Sequence, residues 1–205
     1  MIVIIDYGLG NLGSMYNMLH RIGVSAIVSS DPAIITQANK LILPGVGSFD
    51  AGMNNLKGQD LVPILNMQVL ENHVPILGVC LGMQLLTKGS KEGVLSGLGW
   101  LHAETVRFSF DENDKRLKIP HMGWNTVRIC KDTTLFKGIE VEPRFYFVHS
   151  YHVICADETD ILTRTLHGYE FVSSFAHDNI TGVQFHPEKS HKFGMKLLKN
   201  FIDFY

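Results

Sequence analysis

The sequence predicts an α/β protein with a mostly parallel central sheet, flanking helices, and added antiparallel strands in the C-terminal half. Three observations predict it. In the first half, short apolar runs alternate with helical patterns, and strands joined through helices run parallel with both sheet faces covered. From about residue 100 the texture changes to closely spaced strand patterns. A final amphipathic segment then closes the chain.

The first half reads strand Ile2–Ile5, helix Leu12–Ile22, strand Ala26–Ser29, helix Pro32–Ala38, strand Lys40–Leu43 and helix Leu61–Asn72. Pro75–Val79 is apolar or small throughout and gives a buried strand over Ile76–Val79, and Gly82–Leu86 opens another helix. The later strands are Glu104–Phe108, Thr126–Cys130, Arg144–His149, His152–Ala156 and Glu170–His177. The last of these meets Ile180–His186 across Asp178-Asn179, a hairpin turn. His191–Phe204 is the closing helix, with Phe193, Leu197, Leu198 and Phe201 on one side. The charged stretch DENDKRLK at 111–118 reads as a solvated hairpin end. With no linker, repeat or low-complexity tract, residues 1–205 read as a single domain.

Composition narrows the function. Eighteen Lys and Arg against twenty Asp and Glu leave a net charge of −2, so no basic patch argues for nucleic acid. No apolar run reaches membrane-spanning length, and the opening MIVIID reads as a strand and not a signal sequence. Cys80, Cys130 and Cys155 are odd in number and form no Cys-x-x-Cys pair, which indicates neither a zinc site nor a disulfide framework. Free thiols fit a reducing cytoplasm.

One of these cysteines is placed for chemistry. In VPILGVCLGMQLL (74–86), Cys80 sits where strand gives way to helix, with Gly78 two residues before and Gly82 two after. This is the layout of a nucleophile elbow, whose neighbours at ±2 must be small for strand and helix to approach. The helix N-terminus favours the thiolate, and the Leu81 N–H points where an oxyanion would form. The alternative is a buried cysteine in a tight turn. A second strand, LILPGVGSF (41–49), ends in a glycine-bearing turn before a helix. Ligands gather at the C-terminal strand ends of a parallel sheet, so this loop and Cys80 share one rim, where the Gly47 N–H can complete an oxyanion hole.

A cysteine nucleophile needs a base. Of ten histidines, His186 stands out within TGVQFHPEKS. Pro187 keeps the residue before it extended, and in extended chain i and i+2 share a side, so Glu188 can hold the His186 tautomer. His20, His73, His102, His167 and His177 show no partner pattern. His149 and His152 in FVHSYH are rival bases; spaced by three in one strand they face opposite sides and cannot pair on a metal, so wall or structural roles fit them.

GVCLGMQLL together with GVQFHPEKS closely resembles the triad glutamine amidotransferases. IDYGLGNLGS, LPGVGSF, PHMGWN and FYFVHSYH narrow the resemblance, over essentially the whole chain, to the family of glutaminase subunits of imidazole glycerol phosphate synthase. The resemblance implies a flavodoxin-like amidotransferase domain with Cys80, His186 and Glu188 as catalytic residues, and an oxyanion hole from Gly47 and Leu81. It places Gly45, Val46, Gln84, Ser150 and Tyr151 around bound L-glutamine. It implies hydrolysis to glutamate and ammonia without cofactor or metal. The ammonia passes to a (β/α)8-barrel cyclase subunit, in a heterodimer making imidazole glycerol phosphate and AICAR for histidine biosynthesis. Asn11, Trp124, Tyr146 and Lys189 match positions at that interface, and the Gly45–Gly47 loop is often inactive until the partner binds its ligand. Two features depart from the family pattern: the stretch GLGWLHAETVRF (97–108), and His191 where Gln is more usual. They resemble paralogues that feed ammonia to sugar-modifying partners in surface-polysaccharide synthesis.

Overall fold

The computed structural model describes residues 1–111, 117–139 and 142–205. Five parallel strands form the heart of a twisted sheet, in the order β2 (Ala26–Ser29), β1 (Ile2–Ile5), β3 (Lys40–Gly45), β4 (Ile76–Cys80) and β12 (Ile180–Val183). Beyond β12 the pairing turns antiparallel through β11 (Tyr169–His177), β10 (Ile161–His167) and β7 (Arg128–Ile129). A branch from β11 adds β9 (Tyr151–Cys155) and β5 (Ala103–Arg107). A separate ribbon pairs β6 (His121–Thr126) with β8 (Arg144–His149).

Strand alternation builds two core layers. Val3 and Ile5 face one side with Leu41 and Leu43, against Phe49, Met53 and Leu56 of α3 (Phe49–Gly58) and Leu81, Met83 and Leu85 of α5 (Leu81–Leu85). Ile2, Ile4, Ile42, Leu77 and Val79 face the other side, under Met15 and Leu19 of α1 (Leu12–Arg21) and Leu197, Leu198 and Phe201 of α6 (His191–Phe204). The helix expected over Pro32–Ala38 is shorter, α2 (Pro32–Ile35), capped by the Asp31 carboxylate on the Ala33 N–H. The helix expected over Leu61–Asn72 is α4 (Leu61–Asn66), which widens into a π turn over Met67–Glu71. No helix among the described residues is long and apolar enough to cross a membrane.

Two strands differ from the sequence reading. The expected strand Thr126–Cys130 is instead β6, ending at Thr126, followed by the two-residue β7. β10 was not expected at all. β6 buries only His121, and β10 buries the consecutive Ile161 and Leu162 followed by polar residues, so neither shows the apolar alternation of a half-buried strand. Thr163 and Thr165 are buried on β10, and the Thr163 hydroxyl lies 2.8 Å from Ser173 Oγ and 2.6 Å from Ser174 Oγ. Of the expected hairpin end at 111–118, residues 112–116 lie outside the described residues.

Candidate active site

Cys80 ends β4 with φ +56° and ψ −112°, a conformation that L residues adopt only when the surroundings enforce it. The enforcing contacts are backbone ones. A Cβ on Gly82 would lie 1.8 Å from the Leu43 carbonyl oxygen, and one on Gly78 would lie 2.8 Å from the Gly82 carbonyl oxygen. Strand β4 and helix α5 thus meet at a separation only glycine permits, and the turn between them presents the thiol. Leu81 is the first residue of α5, so its N–H has no partner within the helix. In the sheet register Gly45 stands beside Cys80, which brings the 45–47 loop to the same rim.

The imidazole of His186 donates from Nδ1 to Glu188 Oε1 at 2.7 Å, with both side chains almost fully buried. A proton on Nδ1 leaves Nε2 as the basic nitrogen of the neutral ring. Nε2 is buried and has no hydrogen bond among the described residues. Burial disfavours the imidazolium, but the Cys80 thiol and the Glu188 carboxylate outweigh it, and the His186 pKa is pushed up to about 10. The arrangement therefore favours the imidazolium at His186. The route to this geometry differs from the sequence argument. His186 is extended, but Pro187–Lys189 forms a 3-10 turn that swings Glu188 back under the ring.

Cys80 and His186 open onto a cavity of about 310 Å3. Val46, Gly47, Leu81, Gln84, Ser150 and Tyr151 stand in its wall, whereas Gly45 lies behind it, where a Cβ would come within 2.5 Å of the Tyr7 hydroxyl. Gln84 donates from Nε2 to the Tyr151 carbonyl at 3.1 Å and to Gln184 Oε1 at 3.0 Å. Gln184 in turn points its own Nε2 at Cys80 Sγ, 3.7 Å away. Sequence reasoning missed Gln184, although it precedes His186 by two residues in an extended segment and so shares its side. It also missed Glu92, a carboxylate in the cavity wall that accepts the Phe49 N–H at 2.8 Å. Glu92 comes from an irregular loop, and nothing in its local sequence marks it.

Asn11, expected at a partner surface, is half-buried and donates from Nδ2 to Glu188 Oε1 at 3.2 Å. Trp124 is 39% exposed, stacks on His191 with centroids 5.4 Å apart, and meets Tyr146 edge-on. Lys189 Nζ lies 5.7 Å from the centre of the Tyr146 ring. These three residues form one outward face beside the triad. His149 and His152 do not face opposite sides as expected. A bend at Ser150 places them on different strands, β8 and β9, and both rings pack on Phe108, with centroids 5.2 and 4.7 Å away. Among the described residues no group of three or more His, Cys, Asp or Glu is arranged to hold a metal.

A strained cysteine at a strand–helix elbow, a histidine oriented by a glutamate, and a cavity over both define the class: a cysteine-nucleophile enzyme on a parallel α/β sheet. The family model for class-I glutamine amidotransferases matches residues 3–204. The chain belongs to that family and is a glutamine amidotransferase. It is 56% identical to imidazole glycerol phosphate synthase subunit HisH 2 of Methanococcus maripaludis, over 98% of each chain. It is 51% identical to the subunit of the same name from Pseudomonas aeruginosa, over 99% of each. Among solved structures, PurLQS from Thermotoga maritima superposes with a TM-score of 0.75 at 17% identity, covering 99% of this chain and 97% of that one. A glutamine amidotransferase from Thermotoga maritima superposes at 0.66 and 19% identity, covering 98% and 82%. These two likenesses concern the fold.

Proposed function

We propose that the chain is the glutaminase subunit of imidazole glycerol phosphate synthase, acting in the cytoplasm. It hydrolyses L-glutamine and passes the ammonia to a (β/α)8-barrel cyclase in a heterodimer that serves histidine biosynthesis. The observation that carries the catalytic part is the buried 2.7 Å contact between His186 and Glu188 beside the strained Cys80. The thiolate attacks the side-chain carboxamide carbon, and the developing oxyanion is met by the N–H groups of Leu81 and Gly47. The imidazolium gives its Nε2 proton to the departing amine, ammonia leaves, and a glutamyl thioester remains on Cys80. Water, deprotonated by the same nitrogen, attacks the thioester and releases glutamate.

The cavity wall suits the rest of the substrate. Glu92 places one carboxylate in reach of an α-ammonium group, while Gln84 and the backbone at Ser150 and Tyr151 offer hydrogen bonds. Free ammonia would be protonated and lost in water, so a partner must cover the site. Trp124, Tyr146 and Lys189, an exposed aromatic and cationic cluster beside the triad, are where we place that partner, with Asn11 linking its edge to Glu188.

The test is glutamate release by the purified chain, alone and with a histidine-pathway cyclase subunit plus its nucleotide ligand. Weak activity alone and strong stimulation by the pair is the expected result. Glutaminase activity that this cyclase leaves unchanged would assign the chain to another ammonia acceptor, with a sugar-modifying partner the first to examine.

A further inference from the structure

Four buried or half-buried histidines outside the triad surround Phe108: His121 from β6, His149 from β8, His152 from β9 and His167 from β10. Catalysis as described uses none of them. Two are connected in a way that fixes every proton. His149 Nδ1 lies 2.7 Å from the Tyr151 carbonyl, which only accepts, so Nδ1 carries the hydrogen. In the neutral ring Nε2 is then an acceptor, and its partner, His121 Nδ1 at 2.9 Å, must donate. His121 Nε2 is left as an acceptor for Asn125 Nδ2 at 3.0 Å. The Asn125 amide cannot turn over, because Nδ2 also donates to the Leu166 carbonyl at 2.9 Å and Oδ1 accepts the Thr126 N–H at 2.8 Å. Backbone groups at both ends thus define one direction: Asn125 to His121 to His149 to Tyr151.

We propose that His149 and His121 are positioning residues of the amidotransferase site, forming a one-way hydrogen-bond relay that fixes the Tyr151 carbonyl in the cavity wall and ties it to strand β6. At its inner end the relay meets the substrate machinery. The same carbonyl accepts Gln84 Nε2, which is held by Gln184, whose amide faces Cys80. At its outer end, His121 and Asn125 alternate along β6 with the outward Met122 and Trp124. A shift of the β6–β8 ribbon is therefore transmitted to the glutamine cavity through a set of donors and acceptors with no spare proton.

The relay works only with both rings neutral. A proton on His121 Nε2 would face the Asn125 N–H, and one on His149 Nε2 would face the His121 N–H. The surroundings enforce neutrality. His167 stacks on His121 with centroids 4.3 Å apart and donates from Nε2 to the Lys118 carbonyl, and His152 Nε2 meets the Tyr169 hydroxyl. Burial, with His167 adding to it, lowers His121 to about 4, and burial holds His149 well below the usual histidine range.

The kinetic arm of the test rests on the glutaminase reading, whereas the spectroscopic arm does not. Nitrogen NMR of the unsubstituted chain at pH 7 should show His121 and His149 neutral with the hydrogen on Nδ1. An Nε2–H tautomer or an imidazolium at either position overturns the relay. For kinetics, His121→Leu removes the donor to His149, while His121→Asn keeps an N–H in nearly the same place. His121→Leu should raise the KM for glutamine about tenfold with kcat and Cys80 alkylation by iodoacetamide within about twofold, the effect expected of one lost buried hydrogen bond. His121→Asn should stay within about threefold of the parent KM. Equal KM values for the two variants, or a tenfold rise in His121→Asn, overturn the proposal. If His121→Leu does not fold, the Asn variant and the tautomers decide the question. If the parent releases no glutamate, the glutaminase reading falls and the tautomers alone decide the relay.

Discussion

Replacing Glu188 by Gln removes a charge while leaving the shape of the triad. Oε1 of Glu188 accepts two donors, His186 Nδ1 and Asn11 Nδ2, so the amide introduced by Glu188→Gln is steered to keep its carbonyl there. Its nitrogen then takes the place of Oε2, a buried atom with no partner among the described residues, and that costs stability, not rate. The imidazole keeps its tautomer but exchanges a charge-assisted hydrogen bond of about 1.5–3 kcal/mol for a neutral one of about 0.5–1.5 kcal/mol, and a difference of about 1–1.5 kcal/mol gives a loss in kcat of roughly 5- to 15-fold. Glu188 is one of the groups that raise the His186 pKa, so the imidazolium in the variant gives up its proton at lower pH. The alkaline limb of the kcat/KM profile should move down accordingly. Glutamate release measured across pH for Glu188→Gln, with Cys80→Ala as blank, is the assay. A loss as complete as that of Cys80→Ala would refute the reasoning and make the charge itself indispensable. An unshifted alkaline limb would refute the electrostatic part.

Gly82→Ala should destabilise the fold by more than about 3 kcal/mol, because its Cβ would strike the Leu43 carbonyl at 1.8 Å; a denaturation midpoint like the parent's would contradict the elbow packing. Trp124→Ala should weaken partner binding by about tenfold or more, the effect of losing one aromatic anchor, read as stimulation at limiting cyclase. Acid should unfold the chain early. Between about 4 and the ordinary 6.5, the unfolded chain protonates His121 and the folded one does not, so stability falls as pH drops through that window. His149 and His152 act in the same direction, and the raised His177 and His186 in the opposite one. His121 alone accounts for a loss of about 1–2 kcal/mol from pH 7 to pH 5. His121→Gln, which does not titrate, should narrow the difference between urea midpoints at the two pH values, and an unchanged difference would exclude His121 as a contributor.

The parallel half of the fold is legible because β1, β3 and β4 are buried on both faces and read as continuous apolar runs. β6 and β10 are not, because β6 buries His121 and half-buries Asn125, and β10 follows the adjacent Ile161 and Leu162 with buried threonines, polar groups stabilised by hydrogen bonds that only tertiary structure supplies. The same holds at the site. Cys80 announces itself through Gly78 and Gly82, and His186 and Glu188 through their spacing. Glu92 and the His121–His149 pair depend on loops and strands distant in sequence, which periodicity does not reach. A strand period would set His149 and His152 on opposite sides only along one continuous strand, and Ser150 bends the chain between them.

The central claim is that Cys80 takes the γ-glutamyl group from glutamine with His186 as its proton carrier. Rapid acid quenching of the chain during turnover, followed by peptide mapping, tests it most directly. The account predicts a glutamyl thioester on the peptide carrying Cys80, absent from Cys80→Ala. Glutamate release without any adduct at Cys80, or release that survives in Cys80→Ala, would contradict it.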